Sequence, residues 1–140
     1  MTTFVLPIKV LFQHCDPAAI VFYPRYFEMI NLTVEEWFEQ ELDYSFAKMQ
    51  GPDGRGVPTV TIQTDFRAVS RLGDRLEFSL KVVKLGRTSV SLEITATCGD
   101  EVRLTAAPVL VFMDKATGRP VPWEDATRAR MQRFLDAKAA

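Results

Sequence analysis

Four segments in the second half of the chain alternate apolar and polar residues with a period of two. They span residues 60–66, 76–82, 90–96 and 102–113, and the short sequences "RLGD", "KLGR" and "CGDE" between them each carry a glycine suited to a turn. Alternation with this period indicates strands with one covered face and one wetter face, as in antiparallel sheets. Pro108 predicts a bulge or an exposed edge in the last of these strands.

A single long helix is predicted ahead of these strands, starting at Pro24 and running to about Leu42. Apolar residues recur along it at spacings of three and four, which places them on one face, and Trp37 adjoins this stripe. Its members are Phe27, Ile30, Val34, Phe38 and Leu42. A first strand is expected at residues 5–12, with Pro7 at an edge or strand start. The loop "QGPDGRGVP" follows the long helix, and a terminal helix is expected within residues 123–140.

These elements predict an α+β domain in which one central helix is wrapped by a mostly antiparallel five-stranded sheet, followed by a C-terminal helix. The 140 residues contain no repeat or linker-like stretch, so a single domain over residues 1–140 is expected. An open sheet edge leaves surface that a second subunit could cover, which favours a homo-oligomer.

Composition narrows the partners of such a domain. The formal net charge is -1, which gives no overall attraction to nucleic acid. One histidine and two cysteines do not make a usual zinc site or a disulfide framework. No segment has the roughly 20 apolar residues that span a bilayer, and the first residues do not read as a signal peptide. A cytoplasmic protein with no membrane partner is therefore expected.

The stretch "FQHCDPAAIVFYPRYFEMI" concentrates the unusual chemistry of the chain. Asp16 precedes an apolar loop, and Pro24 suits the first position of the helix that follows, where its missing N–H costs nothing. Free amide groups at a helix start, among them that of Tyr23, stabilise developing negative charge. A carboxylate and such a donor are the two parts needed for acyl transfer. The simpler interpretation is that Asp16 only forms an Asp-Pro turn.

Within this stretch, "HCDPAAIVFYPRYF" resembles the loop of the 4-hydroxybenzoyl-coenzyme A thioesterases and their hot-dog-fold relatives. That loop reads close to D-x-D-P-A-G-[IV]-V-[WY]-Y-x-x-Y. The stretches "RLGDRLEF", "VVKLGRTSVSLE" and "VFMDKATGRPVP" resemble later strands and turns of the same family. The resemblance covers essentially the whole chain, and the first motif is the specific one.

The resemblance implies a hot-dog fold, homodimers often paired into homotetramers, and active sites between subunits. It implies an acyl-coenzyme A substrate, with no separate cofactor and no metal. Asp16 would act as nucleophile or general base, and the backbone amide of Tyr23 would polarise the thioester carbonyl. The acyl group, whether aryl, short-chain or branched, is left open by the sequence.

Four further residues are predicted to bind the substrate. Phe22 stands where relatives have Trp or Tyr and is expected to shape the acyl pocket. Pro58 and Thr59 resemble the region that completes the site across the dimer. Arg87, in the "KLGRTS" turn, is the preferred partner for coenzyme A phosphates among several arginines near strand ends.

Two departures from the family pattern affect the loop itself. Ala19 replaces the usual glycine, which would strain the turn if that position needs a positive φ. His14 stands where relatives often have a polar or acidic residue, and it is a minor candidate for a base. Two other functions stay open: a hydrolase acting on acyl chains carried by acyl carrier protein, and a non-catalytic module that binds acyl thioesters.

Overall fold

A five-stranded antiparallel sheet forms the main layer in the computed structural model, which describes residues 2–136. Its strands are β1 (Phe4–Lys9), β3 (Thr59–Phe66), β4 (Arg75–Leu85), β5 (Ser89–Cys98) and β6 (Glu101–Val111), in the spatial order β1-β4-β5-β6-β3. Two short strands, β2 (Arg55–Gly56) and β7 (Met113–Asp114), form a separate antiparallel pair. The predicted five-stranded sheet is confirmed.

The long helix α1 (Tyr23–Gln40) packs against β1 and β4. Its buried face is wider than the predicted stripe, because Tyr26, Met29, Thr33 and Trp37 are buried beside the expected residues, whereas Phe27 is only half-buried. A second helix, α2 (Phe46–Gln50), was not expected. Helix α3 (Asp125–Gln132) confirms a helix near the C-terminus, although residues 137–140 of the predicted one lie outside the described residues.

The alternation along β4 and β5 is confirmed by burial. The apolar residues of both strands belong to one core with the buried residues of α1 and are almost fully buried, and their neighbours along each strand are more exposed. They are Leu76, Phe78, Leu80, Val82, Val90, Leu92, Ile94 and Ala96. The pairing brings Leu80 opposite Ile94, so the buried residues of the two strands lie side by side in the core. None of the helices within residues 2–136 is long and apolar enough to cross a membrane.

Strand β3 lies at one edge of the sheet, and its apolar residues are poorly covered. Val60 is 57% exposed and Phe66 is 48% exposed, although both were expected on a covered face. Pro108 does not lie at an exposed edge, because β6 is inside the sheet, but the alternative prediction of a bulge has a counterpart beside it: the β3–β6 register shifts between Thr59 and Thr61, opposite Leu110 and Val109. Pro108 pairs with Ile62 of β3, and the pairing of β6 with β5 skips from Val109 to Ala106 beside it. A proline is tolerated there because the ladder is interrupted where its N–H is missing.

Candidate active site

Asp16 lies in a tight loop between β1 and α1. Cys15 and Val21 pair as an antiparallel bridge, which closes the loop. Across it, the Asp16 N–H donates to the Ile20 carbonyl at 3.0 Å, and the Ala19 N–H donates to the Asp16 carbonyl at 2.9 Å. The apolar segment after Asp16 is therefore ordered by backbone hydrogen bonds.

The carboxylate of Asp16 has one oxygen fixed and one oxygen left over. Oδ1 accepts from the Ala18 N–H at 2.8 Å, which is the hydrogen bond of an Asx turn. Oδ2 accepts no hydrogen bond from residues 2–136. The turn expected of an Asp-Pro step is thus present, and it orients the half-buried side chain without using both of its oxygens.

Ala19 adopts a φ of 61°, in the left-handed region where the family pattern has glycine. The Cβ of an alanine there costs roughly 1–2 kcal/mol relative to a relaxed backbone. The departure from glycine therefore leaves the loop geometry in place at the expense of local strain.

We expect Ala19→Gly to raise the free energy of unfolding by about 1 kcal/mol, because relief of this strain exceeds the added flexibility of the unfolded chain. Urea denaturation measures the change. Ala18→Gly is the matched control: its φ is not positive, so the same substitution should lower stability by about 0.4–1 kcal/mol. Equal effects of the two substitutions would contradict strain at Ala19.

The start of α1 presents an unpaired donor beside this loop. Tyr23 is the first helical residue, which places Pro24 at the second position and not at the first as predicted. The Arg25 N–H donates to the Phe22 carbonyl at 2.8 Å, whereas the Tyr23 N–H has no acceptor within residues 2–136. With no acidic residue in the first turn, the positive end of the helix dipole is not neutralised locally. An oxygen carrying negative charge would be stabilised at this amide.

A second loop, residues 67–74, supports the Asp16 loop through its backbone. The Val21 N–H donates to the Ser70 carbonyl at 2.9 Å, and the Leu72 N–H donates to the Ala19 carbonyl at 3.1 Å. Ile20 also forms a bridge with Arg71. The position of the Asp16 loop therefore depends on what holds residues 67–74.

Arg103 of β6 binds residues 67–74 through its guanidinium group. Its Nη1 lies 2.7 Å from Asp74 Oδ2, and it also donates to the Val69 carbonyl and to Ser70 Oγ, each at 3.1 Å. The hydrogen bond from Arg103 lowers the pKa of Asp74, and the hydrogen bond from the Arg71 N–H adds to this effect. Sequence reasoning missed this network, because Arg103 and Asp74 are 29 residues apart and neither stands out locally.

An apolar cleft of about 480 Å³ opens beside Tyr23. Phe66, at the end of β3, packs against the rings of Tyr23, Tyr26 and Phe27 with centroid distances of 5.7–6.3 Å. The cleft is lined by Val21, Tyr23, Tyr26, Phe66, Arg67, Ala68 and Val69. An apolar group could therefore lie next to the unpaired amide.

Only some of the predicted site residues come together within one chain. Asp16, Phe22 and Tyr23 belong to one short segment, and the Phe22 ring packs edge-on against Tyr23 at 5.6 Å. Pro58 and Thr59 lie at the other end of β3 from Phe66, about 23 Å along the strand. Thr59 lines a separate cleft of about 200 Å³.

Arg87 is placed away from both clefts, in the turn between β4 and β5. Its carbonyl accepts from the Trp123 N–H at 3.1 Å, which ties this turn to the segment before α3. Its predicted role at coenzyme A phosphates stays a prediction. Within residues 2–136, no group of three or more histidine, cysteine or acidic side chains is arranged to hold a metal ion.

His14 is buried at the base of the Asp16 loop, only 8% exposed. Its Nδ1 accepts from the Leu11 N–H at 2.8 Å, which closes a 3₁₀ turn over Phe12–His14. This turn ends the predicted first strand early, so that β1 stops at Lys9. The position of His14 at the third residue of the turn, where a capping side chain acts, was a signal that could have been noticed in the sequence.

Comparison with known families gives one match over most of the chain. A family model described as the thioesterase-like superfamily matches residues 10–131. Comparison of the sequence with curated proteins gives no significant match.

Solved structures resemble this chain over nearly its full length. A 1,4-dihydroxy-2-naphthoyl-CoA thioesterase from Synechocystis has a TM-score of 0.85 at 18% identity, covering 94% of this chain and 96% of that one. A gentisyl-coenzyme A thioesterase has a TM-score of 0.81 at 20% identity, with coverages of 90% and 98%. The dynemicin thioesterase has a TM-score of 0.88 at 16% identity, with coverages of 97% and 99%. At these identities the likeness is one of fold, and the expected hot-dog fold is confirmed.

Proposed function

The chain belongs to the thioesterase-like superfamily, and on that premise we propose that it hydrolyses acyl-coenzyme A thioesters at the Asp16 loop. One observation carries the proposal. A carboxylate with one unpaired oxygen, on Asp16, and an unpaired helix-start amide, on Tyr23, belong to the same hydrogen-bonded segment. Acyl transfer requires two groups: a nucleophile or general base, and a donor that stabilises the oxyanion.

In this mechanism the thioester carbonyl oxygen accepts from the Tyr23 N–H. The helix dipole stabilises the negative charge that develops on that oxygen as the carbonyl carbon becomes tetrahedral. Pro24 has no N–H and the Arg25 N–H donates to the Phe22 carbonyl, so the Tyr23 amide is a free donor at the start of the helix. One such donor is worth about 10²–10³ in rate where its removal has been measured.

Asp16 supplies the attacking group by one of two routes. As nucleophile, Oδ2 bonds to the acyl carbon and the coenzyme A thiolate leaves, and water then hydrolyses the resulting anhydride. As general base, the same oxygen takes a proton from the water that attacks the carbon. In both routes the Ala18 N–H on Oδ1 keeps the carboxylate oriented. The products are a free carboxylic acid and coenzyme A, and neither route uses a metal or a redox cofactor.

The cleft beside Tyr23 suits the acyl group, because its walls are largely aromatic and aliphatic. Phe22, exposed next to Tyr23, is proposed to contact the same group. Two of the structural neighbours are named for aryl-coenzyme A thioesters, which supports a coenzyme A thioester as the substrate here. The 4-hydroxybenzoyl thioester of coenzyme A is one of the aryl substrates proposed for testing.

The remaining predicted residues fit a site shared between two subunits. The exposed apolar residues of β3, Val60 and Phe66, leave an edge strand that a second copy could cover. Pro58 and Thr59 would then come to the site from the second subunit. A homodimer, or a homotetramer of two such dimers, is the proposed assembly, and the cytoplasm is the proposed location.

The function is tested by a hydrolysis screen with purified protein over aryl and aliphatic acyl-coenzyme A thioesters, following release of the coenzyme A thiol. Turnover of at least one class is expected. The best acyl group is then offered on acyl carrier protein, and faster hydrolysis from that carrier would favour the acyl carrier protein alternative. Binding without hydrolysis of any substrate would refute the enzyme and favour a non-catalytic module.

Arg87 is expected to act on the nucleotide end of the substrate. Arg87→Ala should raise KM for acyl-coenzyme A about tenfold with little change in kcat, because a hydrogen bond to a charged group is worth about 1.5–3 kcal/mol. The same acyl group on N-acetylcysteamine, which lacks the phosphates, should show no change in KM. An equal rise in KM for both substrates would place Arg87 outside phosphate binding.

A further inference from the structure

We propose that His14 is a positioning residue for Asp16 and Tyr23, and that it holds them in place only while its imidazole is neutral. This inference rests on the proposed function. It assigns His14 no contact with the substrate, in contrast to the catalytic base that a lone histidine beside Asp16 first suggests. The hydrogen bonds around the ring carry it.

The imidazole ring of His14 accepts a backbone hydrogen bond. The Leu11 N–H donates to Nδ1 at 2.8 Å, so Nδ1 carries no proton and the neutral ring has its hydrogen on Nε2. A protonated imidazole has N–H groups at both positions and cannot accept this bond. The His14 N–H returns to the Leu11 carbonyl at 2.9 Å, so side chain and backbone together close the 3₁₀ turn.

A backbone hydrogen bond links this turn to the start of α1. The His14 carbonyl accepts from the Phe22 N–H at 2.9 Å, immediately before Tyr23. On the other side of His14, the chain continues into the Cys15–Val21 bridge and Asp16. His14 therefore stands at the base of both arms of the loop, one bearing the carboxylate and the other leading to the amide. Loss of the Leu11 bond would loosen the common base of both groups.

The charged groups around the ring come from two elements. Glu28 and Arg25 of α1 form an ion pair at 2.9 Å, and Lys9 of β1 lines the same cleft of about 360 Å³ as His14 and Glu28. Burial lowers the pKa of His14 below its usual 6.5, Glu28 opposes this shift, and Arg25 reinforces it. With a pKa below 6.5, the ring is mostly neutral at pH 7. Its contribution to stability is complete above about pH 6.5 and is lost as the pH falls through the lowered pKa of the folded state.

Two substitutions of His14 distinguish the effect of its hydrogen-bond acceptor from that of its titratable ring. Glutamine at the third position of such a turn supplies an acceptor that does not titrate, as in a capping box. We expect His14→Gln to keep kcat at pH 7 within about threefold. The part of the fall in kcat at low pH that protonation of His14 causes should be absent from this variant. His14→Leu removes the acceptor and should lower kcat about tenfold or more with little change in KM, because misplaced groups are costly in rate. Wild-type kcat in His14→Leu, or equal losses in the two variants, would overturn the proposal.

Nitrogen-15 NMR gives a readout that does not depend on activity or on the leucine variant folding. His14 is the only histidine, so its imidazole signals are assigned without ambiguity. The proposal predicts the Nε2–H tautomer and amide shifts of Asp16 and Tyr23 that titrate with the His14 midpoint in the wild type but not in His14→Gln. An Nδ1–H tautomer, or amides that ignore the His14 titration, would refute it. If the wild type hydrolyses no thioester, the proposed function fails, and these spectra still decide the role of His14.

Discussion

Arg103→Met should lower the free energy of unfolding by about 3 kcal/mol, a large share of the 5–15 kcal/mol that holds a typical domain together. The Arg103 side chain is 11% exposed and that of Asp74 is 27% exposed, so the substitution removes a largely buried cation and leaves a half-buried carboxylate unpaired. The Val69 carbonyl and Ser70 Oγ lose their donor at the same time. Methionine fills the space but restores none of these bonds.

Urea denaturation at pH 7 measures this loss, with Arg130→Met as the matched control. Arg130 is 41% exposed, lies 4.0 Å from Asp43 and makes one long hydrogen bond, at 3.5 Å, to the Leu42 carbonyl, so the same change there should cost less than about 1 kcal/mol. Similar losses for the two variants would contradict a special role for Arg103.

The pH dependence gives a second check on the Arg103–Asp74 pair. Arg103 lowers the pKa of Asp74, so the pair contributes fully above the unfolded-state value of about 3.8. That contribution is lost as the pH falls through the lower pKa of the folded state. The difference in stability between wild type and Arg103→Met should therefore shrink in acid. A difference that grows in acid would contradict this sign.

Periodic elements were predictable from the sequence because their signals are local. The alternation of β4 and β5 and the spacing of three and four along α1 report burial directly. Helix α2 was missed because five residues are too few to show a period, although Ser45 caps it through the Lys48 N–H. The pairing of β2 with β7 was missed for the same reason, since each has only two residues.

Candidate site residues could be grouped from the sequence only where they lie close together along the chain. Asp16, in the loop, and Tyr23, at the start of α1, are seven residues apart, so residue chemistry and the family resemblance could propose them as a pair, and their catalytic roles stay predictions. The supporting contacts come from distant parts of the chain, as with Arg103 and Asp74, and the local sequence pattern does not show them. Thr59 and Arg87 lie apart from Asp16 within one chain, so the roles proposed for them would require a second subunit or a long substrate.

Asp16→Asn is expected to lower kcat by about 10²–10⁴ while leaving the fold intact. The asparagine oxygen can still accept from the Ala18 N–H, so the turn is preserved. The amide is neither a nucleophile for a thioester nor a base for water, so both routes proposed for Asp16 are blocked. The Tyr23 donor remains, so a residual rate above the uncatalysed one is expected.

Asp100→Asn is the matched control, because it removes one negative charge at an exposed turn between β5 and β6. Its kcat should equal that of the wild type. Matching urea midpoints for all three proteins would show that any loss of rate in Asp16→Asn does not come from unfolding.

The decisive measurement is kcat for wild type, Asp16→Asn and Asp100→Asn on the acyl-coenzyme A that the wild type hydrolyses fastest, following release of the coenzyme A thiol. A catalytic role for Asp16 predicts a rate at least about 100-fold lower for Asp16→Asn alone. A folded Asp16→Asn protein that turns over this substrate at the wild-type rate would contradict it.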